Sequence, residues 1–507
     1  MFGMSFFVSY IFAMKETISR IEERFEILRR RSGLVIAPIV FLAIYSKPIP
    51  ILTDQTHALA AVVGLIVVLW LTEALPLYIT GLLVPVLLIL LGITTAQKAF
   101  APFADPVMFL FLGAFVLARA IQMHGLDKRF AYSVLSMKLV GGNPSRIMFA
   151  YGAVCCIISM WISNTATTAM MFPIGLAIIS MLYTKEGNRE RERYATGMML
   201  MCAFASSIGG LATPVGTPTN LIGLGFIERQ LGRHIAFFEW MTFAVPIVIV
   251  MFLFLFFYLN LFCGMGKKRI EGLSELLAKE QQKLGPFSLA ERNTLLAFAV
   301  TVLLWVLPGV FAVVLGDTHP VTIGYSRQVP ESVAALLGAV LLFFLPSKNE
   351  PGEKREYVIT MSHAVQIDWG VLALYGGGIT LGHIIFETKL AETFGSQLIG
   401  IIPSEGVGLI AASSFIATFT SELTSNVSSA NMIVPLVIVL AQQTGIQAAV
   451  AATMASSLGF MLPISTPTNA IVYSSGYVPL SRMVRYGFIL DIAGFIIIVG
   501  GTMLLVR

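Results

Sequence analysis

The chain has 507 residues, a formal net charge of +5 and only 12% Asp, Glu, Lys and Arg, about half the charged fraction of a soluble globular domain. Hydrophobic residues make up 56% of it and its mean hydropathy is +0.83, which excludes a disordered protein, a secreted disulfide scaffold and an ordinary soluble enzyme. At roughly 20 apolar residues per span there is room for about ten to a dozen helices, so the composition predicts an all-α polytopic protein embedded in a lipid bilayer.

In chain order, an apolar stretch over 1–14 leads into a charged helix over 15–31, and we expect 1–31 to form an N-terminal cytoplasmic or interfacial segment. No small-residue cleavage site follows the apolar stretch, so no removable signal peptide is expected. Lys15, Arg20, Arg24, Arg29, Arg30 and Arg31 precede the first span and place the N-terminus in the cytoplasm. Further basic residues gather in two loops, at Lys185, Arg189, Arg191 and Arg193 and at Lys267, Lys268, Arg269, Lys279 and Lys283. Charge distributed in this way reports topology and gives no sign of nucleic acid binding. The four cysteines, Cys155, Cys156, Cys202 and Cys263, have neither zinc-ligand nor redox spacing and read as packing thiols.

The longest polar stretch, 265–292, reads as a cytoplasmic linker helix between a first membrane half over 32–264 and a second over 293–507. Ser288 and Glu291 have capping-box spacing at its end. In each half one apolar region, near 146–183 and near 407–442, is broken in its middle by polar residues, as in a re-entrant hairpin or a discontinuous helix.

Those breaks belong to an internal repeat. A shift of 262 positions aligns Ser159 with Ser421, Ser163 with Ser425, Asn164 with Asn426, Met170 with Met432 and Pro173 with Pro435. Downstream, Pro214-Val-Gly-Thr-Pro-Thr-Asn220 matches Pro463-Ile-Ser-Thr-Pro-Thr-Asn469 at five of seven positions, and glycines cluster before each motif, around Gly113 and at Gly376, Gly377 and Gly378. A lone Ser-Asn-Thr is usually a helix cap and a lone Thr-Pro-Thr-Asn usually a turn. Both motifs, twice, in the same order and within membrane-length apolar sequence, mark a transporter built from repeats.

The chemistry follows from what the segments contain. They offer hydroxyls, carboxamides and interrupted helix ends, and no Asp, Glu, Lys or Arg occurs over 194–227 or 424–481. A helix N-terminus suits a carboxylate or a sulfate. Unwound carbonyls with Ser and Asn oxygens suit a hard cation such as sodium. Within these segments a dianion finds no Arg partner, so co-bound sodium would offset its charge and each would strengthen the binding of the other.

The run Ser456-Ser457-Leu-Gly-Phe460-Met-Leu-Pro463-Ile464-Ser465-Thr-Pro-Thr-Asn469-Ala-Ile471-Val472 resembles the signature of the divalent-anion:sodium symporters, the family of di- and tricarboxylate carriers. The paired Ser-Asn-Thr-type motifs and Trp70-Leu-Thr-Glu73-Ala-Leu-Pro76 are similar to it as well. The resemblance runs from about Ser32 to Arg507. It implies two inverted repeats with re-entrant hairpins, a scaffold and a mobile transport domain, an elevator-type movement and a homodimer. It also implies substrate contacts from Ser163, Asn164 and Thr165 and from Ser425, Asn426 and Val427, with Thr217, Pro218, Thr466 and Pro467 closing the site. One sodium would lie near Ser159, Ser163, Asn164 and Gly216, and a second near Ser421, Thr424, Asn426 and Ser465. Val427 departs from the motif, since an apolar side chain replaces the hydroxyl, and this leaves dicarboxylate and tricarboxylate as alternatives.

The expectation is a sodium-coupled importer of C4-dicarboxylates such as succinate, fumarate or malate in a bacterial inner membrane. A sodium-independent dicarboxylate exchanger, a sulfate or citrate carrier and an anion channel are the alternatives. No metalloprotease His pair, nucleophile elbow or phosphate-binding loop supports an enzyme. Glu73, an acid in an apolar run close to Pro76, reads as a residue of a helix break or interface with a substrate role as the alternative, and Glu422 reads as structural support for the second tip. His383 and Lys389 are expected near a helix end.

Overall fold

Apolar runs with polar punctuation fold as helices that begin at side-chain caps. In the computed structural model, residues 20–181, 189–266, 270, 272–316, 318–348, 356–390, 393, 405–441 and 445–506 are described. In the first half they form α1 (Arg20–Ser46), α2 (Asp54–Thr72), α3 (Leu77–Leu90), α4 (Pro106–Met123), α5 (Leu126–Leu135), α6 (Pro144–Ser159), α7 (Asn164–Ser180), α8 (Arg189–Gly210), α9 (Pro218–Leu231) and α10 (Phe237–Cys263). Then come α11 (Leu273–Lys283), α12 (Leu289–Leu315), α13 (Pro320–Gln328), α14 (Glu331–Phe344), α15 (Trp369–Glu387), α16 (Gly406–Leu423), α17 (Asn426–Leu440), α18 (Gly445–Ala455), α19 (Pro467–Tyr473) and α20 (Leu480–Leu505). Among the described residues the only β pairing is an isolated bridge between Pro346 and Tyr357.

Seven helices among the described residues are long and apolar enough to cross a membrane, or eight if α13 and α14, bent by 55°, form one broken span. The count falls below the number of apolar runs because α3, α6, α7, α17 and α18 are shorter apolar helices. Outward-facing residues such as Leu42 on α1, Phe257 and Leu261 on α10, Val313 on α12 and Ile496 on α20 are exposed, as a lipid-facing belt requires. Thr53, Asp105 and Asn143 cap α2, α4 and α6, and Ser288 with Glu291 forms a full capping box at the start of α12.

The charged N-terminal stretch is continuous with the first span. From Arg20 onward it forms one helix through Ser46, with no break at residue 31. Gly33 at the junction packs so tightly on Thr72 of α2 that a Cβ would overlap its hydroxyl, and this crossing fixes α1 against α2. Residues 1–19, Lys185, Lys267, Lys268 and Arg269 lie outside the described residues.

Packing between the halves is reciprocal. α3 of the first half lies on α15 of the second, and α14 of the second lies on α4 of the first. Both crossings are glycine contacts: a Cβ on Gly377 would overlap the Gly81 carbonyl, and one on Gly113 would meet the Ala335 backbone. In the same manner α19 packs on α7 and α8, and α9 packs on α17 and α18. Ser207 pairs with Thr468 at 3.2 Å, and Ser457 with Thr219 at 2.6 Å. Small residues at such crossings bring backbones together where lipid gives no hydrophobic drive for association. Gly377→Ala should therefore lower the thermal unfolding temperature of the purified protein. Gly500→Ala, whose added methyl would meet nothing within 4 Å, should leave it unchanged.

Candidate functional site

Two helix interruptions carry the site. In the first, α6 ends at Ser159 and α7 begins after Ser163, whose hydroxyl caps it by accepting from the Ala166 N–H at 3.4 Å. Buried Ser159 donates to Asn164 Oδ1 at 2.7 Å. That bond orients the amide and leaves its Nδ2 donors to the tip. Ser163 and Thr165 are exposed and Asn164 is half-buried, so this tip is open.

The second interruption repeats the device. Ser425 caps α17 by accepting from the Ser428 N–H at 3.2 Å, and buried Ser421 donates to Asn426 Oδ1 at 2.8 Å. The Ser456 carbonyl, 2.7 Å from the same hydroxyl, shares its single proton. Ser425, Asn426 and Val427 are half-buried. The Thr424 hydroxyl donates to the Trp70 carbonyl at 2.7 Å. This tethers the tip to α2, and only the lone pairs of Thr424 remain for a cation.

Behind each tip lies its Thr-Pro-Thr-Asn turn. Pro218 and Pro467 occupy the first helical position of α9 and α19, where a missing N–H costs nothing, after Thr217 and Thr466 as N-caps. Asn220 Nδ2 donates to the carbonyls of Gly210, at 3.0 Å, and Thr213, at 2.8 Å. Asn469 Nδ2 donates to those of Gly459, at 2.9 Å, and Leu462, at 3.0 Å. The carbonyls fix both amides, and in both the buried Oδ1 has no donor. An orphaned buried acceptor in each half is what a cation-binding turn would present. The sequence displayed both asparagines within a repeated motif, but only the structure shows their spare oxygens.

Each turn reaches its tip through glycine. Gly210 adjoins the Asn164 amide so closely that a Cβ would overlap Oδ1, whereas at Gly459 a Cβ would lie 3.2 Å from Asn426 Oδ1. Gly216 backs onto the Met160 carbonyl, 3.0 Å from where a Cβ would be. At the position matching Gly216, Ser465 shares its hydroxyl proton between the carbonyl of Glu422, at 3.0 Å, and its carboxylate, at 2.8 Å. Ser159, Asn164 and Gly216 thus share one environment, and Ser421, Asn426, Gly459 and Ser465 share another.

Sequence reasoning missed the role of Arg29. Its guanidinium reaches the Leu423 carbonyl at 3.3 Å and Glu73 at 3.1 Å. Arg29 therefore ties the end of α16 to the Trp70–Glu73 region next to the second tip. Glu73, the left-handed C-cap of α2, serves as a structural partner. An acid within an apolar run was a signal that a cation had to lie nearby. Arg229 Nε donates to Asp105 at 2.7 Å, and Tyr375 donates to the same carboxylate at 3.2 Å, joining α9, α4 and α15. His383 lies on α15 and Lys389 is exposed just beyond its end.

A cavity of about 210 Å³ opens beside the first turn at Pro214 and is lined also by Leu221, Glu228, His234 and Glu331. His234 sits in the loop before α10, where hydrogen bonds to Glu228 and Glu331 push its pKa up to about 10, against the opposing effect of burial. The imidazole is therefore charged at neutral pH.

The chain is similar over its length to known transport proteins. The model of the sodium:sulfate symporter transmembrane region matches residues 29–505. The sodium-dependent dicarboxylate transporter SdcS of Staphylococcus saprophyticus is 31% identical over 479 residues, covering 92% of this chain and 89% of that protein. SdcS of Staphylococcus aureus is 31% identical over 477 residues, with the same coverage. Among solved structures, MtrF of Neisseria gonorrhoeae, from a class of antimetabolite efflux pumps, aligns with a TM-score of 0.53 over 82% of this chain and 84% of its own. At 14% identity that likeness speaks for the fold alone. The family match and the coverage by SdcS make this protein a membrane transporter and not an enzyme: it belongs to the sodium:sulfate symporter family, the divalent-anion:sodium symporters.

Proposed function

We propose that the protein is a secondary active transporter that imports C4-dicarboxylates, such as succinate, fumarate or malate, together with sodium. The observation that carries this reading is the duplicated Ser–Asn device. In each half a buried serine holds the carboxamide oxygen, which leaves amide N–H groups and the start of a helix for an anion. Two such tips suit the two carboxylates of one substrate. The SdcS relatives, which are sodium-dependent dicarboxylate transporters, support both the substrate class and the ion.

Ser163, Asn164 and Thr165 hold one carboxylate and Ser425 and Asn426 the other, with Val427 beside it and Thr217, Pro218, Thr466 and Pro467 closing the site. One sodium is bound near Ser159, Ser163, Asn164 and Gly216, with Asn220 Oδ1 as a further acceptor. A second is bound near Ser421, Thr424, Asn426 and Ser465, with Asn469 Oδ1 facing it. Arg29 is already paired with Glu73, so sodium supplies the positive charge that the substrate needs. This favours the symporter over an exchanger with a fixed cation at the tips.

The two hairpins, with α8, α9, α18 and α19, form the mobile part of an elevator-type carrier working as a homodimer. The halves meet at a linker over 265–292, the N-terminus is cytoplasmic, and a bacterial inner membrane is the site of action.

Asn164→Ala and Asn426→Ala should each reduce sodium-driven succinate uptake by about tenfold or more at unchanged expression. That is the scale of losing one hydrogen bond to a charged group. Near-normal uptake by both variants would remove the site assignment. Gly210→Ala should behave like Asn164→Ala, because its methyl displaces the amide. Unlabelled fumarate and malate should compete with labelled succinate; competition by sulfate alone would move the substrate to the inorganic anion.

A further inference from the structure

Glu422 and Asp491 form a buried pair of acidic residues beside the second tip. Glu422 is 2% exposed, and its position in the first half is taken by Met160. Its Oε1 accepts the N–H groups of Phe460 at 2.6 Å and Met461 at 2.9 Å, while Oε2 accepts the Ser465 hydroxyl at 2.8 Å. Three donors of this kind anchor the carboxylate against the turn.

Asp491, on α20, is 5% exposed, and neither of its carboxylate oxygens has a hydrogen-bond partner. It faces Glu422 and the Phe460 amide. Gly487 and Gly494 lie on the same face of α20, one turn before and one turn after Asp491, and press the helix onto the turn: a Cβ on Gly487 would overlap the Phe460 carbonyl, and one on Gly494 would lie 3.0 Å from Leu458. α18, which packs on α20, and the turn over 456–466 carry no acidic or basic residue. Among the described residues the acidic or basic group set against Asp491 is the carboxyl of Glu422. Two carboxylates buried together without a countercharge are strongly unfavourable in a membrane interior.

We propose that this pair is a third cation site, occupied by a sodium ion held by both Asp491 oxygens, Glu422 Oε2 and the Ser465 hydroxyl. A hard, oxygen-seeking ion fits this donor set, and it engages both orphaned oxygens of Asp491, which a single proton does not. The first half has no counterpart, since Met160 and Gly216 replace Glu422 and Ser465. The site therefore breaks the symmetry of the repeat and adds an ion next to the second tip alone. This inference rests on the sodium-coupled reading, but not on the identity of the anion.

The test is equilibrium binding of radioactive sodium to the purified protein in detergent, without substrate, at fixed pH. The wild type should bind three sodium ions per protomer, and Asp491→Asn should bind one fewer with the others retained. Glu422→Gln provides the same comparison if the first variant does not fold. An equal count in the wild type and a folded variant overturns the proposal, as does a wild-type count of two or fewer. Failure of succinate uptake would sink the substrate assignment while leaving the sodium count readable.

Discussion

A helix that stops inside a membrane leaves N–H and C=O groups with no water to meet them, and this constraint shapes the centre of the molecule. Each interruption is resolved in the same way. A serine caps the outgoing helix, a second serine one turn earlier holds the neighbouring carboxamide, and an asparagine ten residues beyond a glycine gathers the loose carbonyls of the following turn. The groups left over are of two kinds. Amide donors face the tips, and asparagine oxygens remain buried among the turns. Groups suited to an anion and groups suited to a cation therefore emerge together from one solution to a backbone problem.

The two halves depend on each other for that solution. The hydroxyl pairs Ser207–Thr468 and Ser457–Thr219 join the turn of one half to the long or broken helix of the other. Glycine crossings repeat the exchange between α3 and α15 and between α4 and α14. Neither half buries its own motif alone. Around this shared centre, Thr424 and Arg29 tether the second tip to α1 and α2, whereas Ser163 and Thr165 of the first tip are exposed. The duplicated tips are thus alike in chemistry and unequal in restraint.

Much of this was legible in the sequence because the repeat exposed it. Aligned serines and asparagines gave the hairpin tips, Ser288 with Glu291 gave a helix start, and the lack of charge around the motifs pointed to neutral ligands. What could not be read depended on contacts distant in sequence. Arg29 looked like one more topological charge, and only folding brings it to Leu423, 394 positions away. The unbroken helix across Arg31 was hidden because charge marked a boundary that the backbone does not observe. Asp491 lies outside both motifs, and its relation to Glu422 rests on two glycines that let α20 approach the Phe460 turn.

The central claim is that sodium, rather than a fixed cation, neutralises the substrate at the two tips. Labelled succinate uptake into proteoliposomes tests it most directly, with an inward sodium gradient set against an equal potassium gradient, in empty and in succinate-loaded vesicles. The account predicts accumulation in empty vesicles with sodium and none with potassium. Uptake that is indifferent to sodium and needs internal succinate would contradict it.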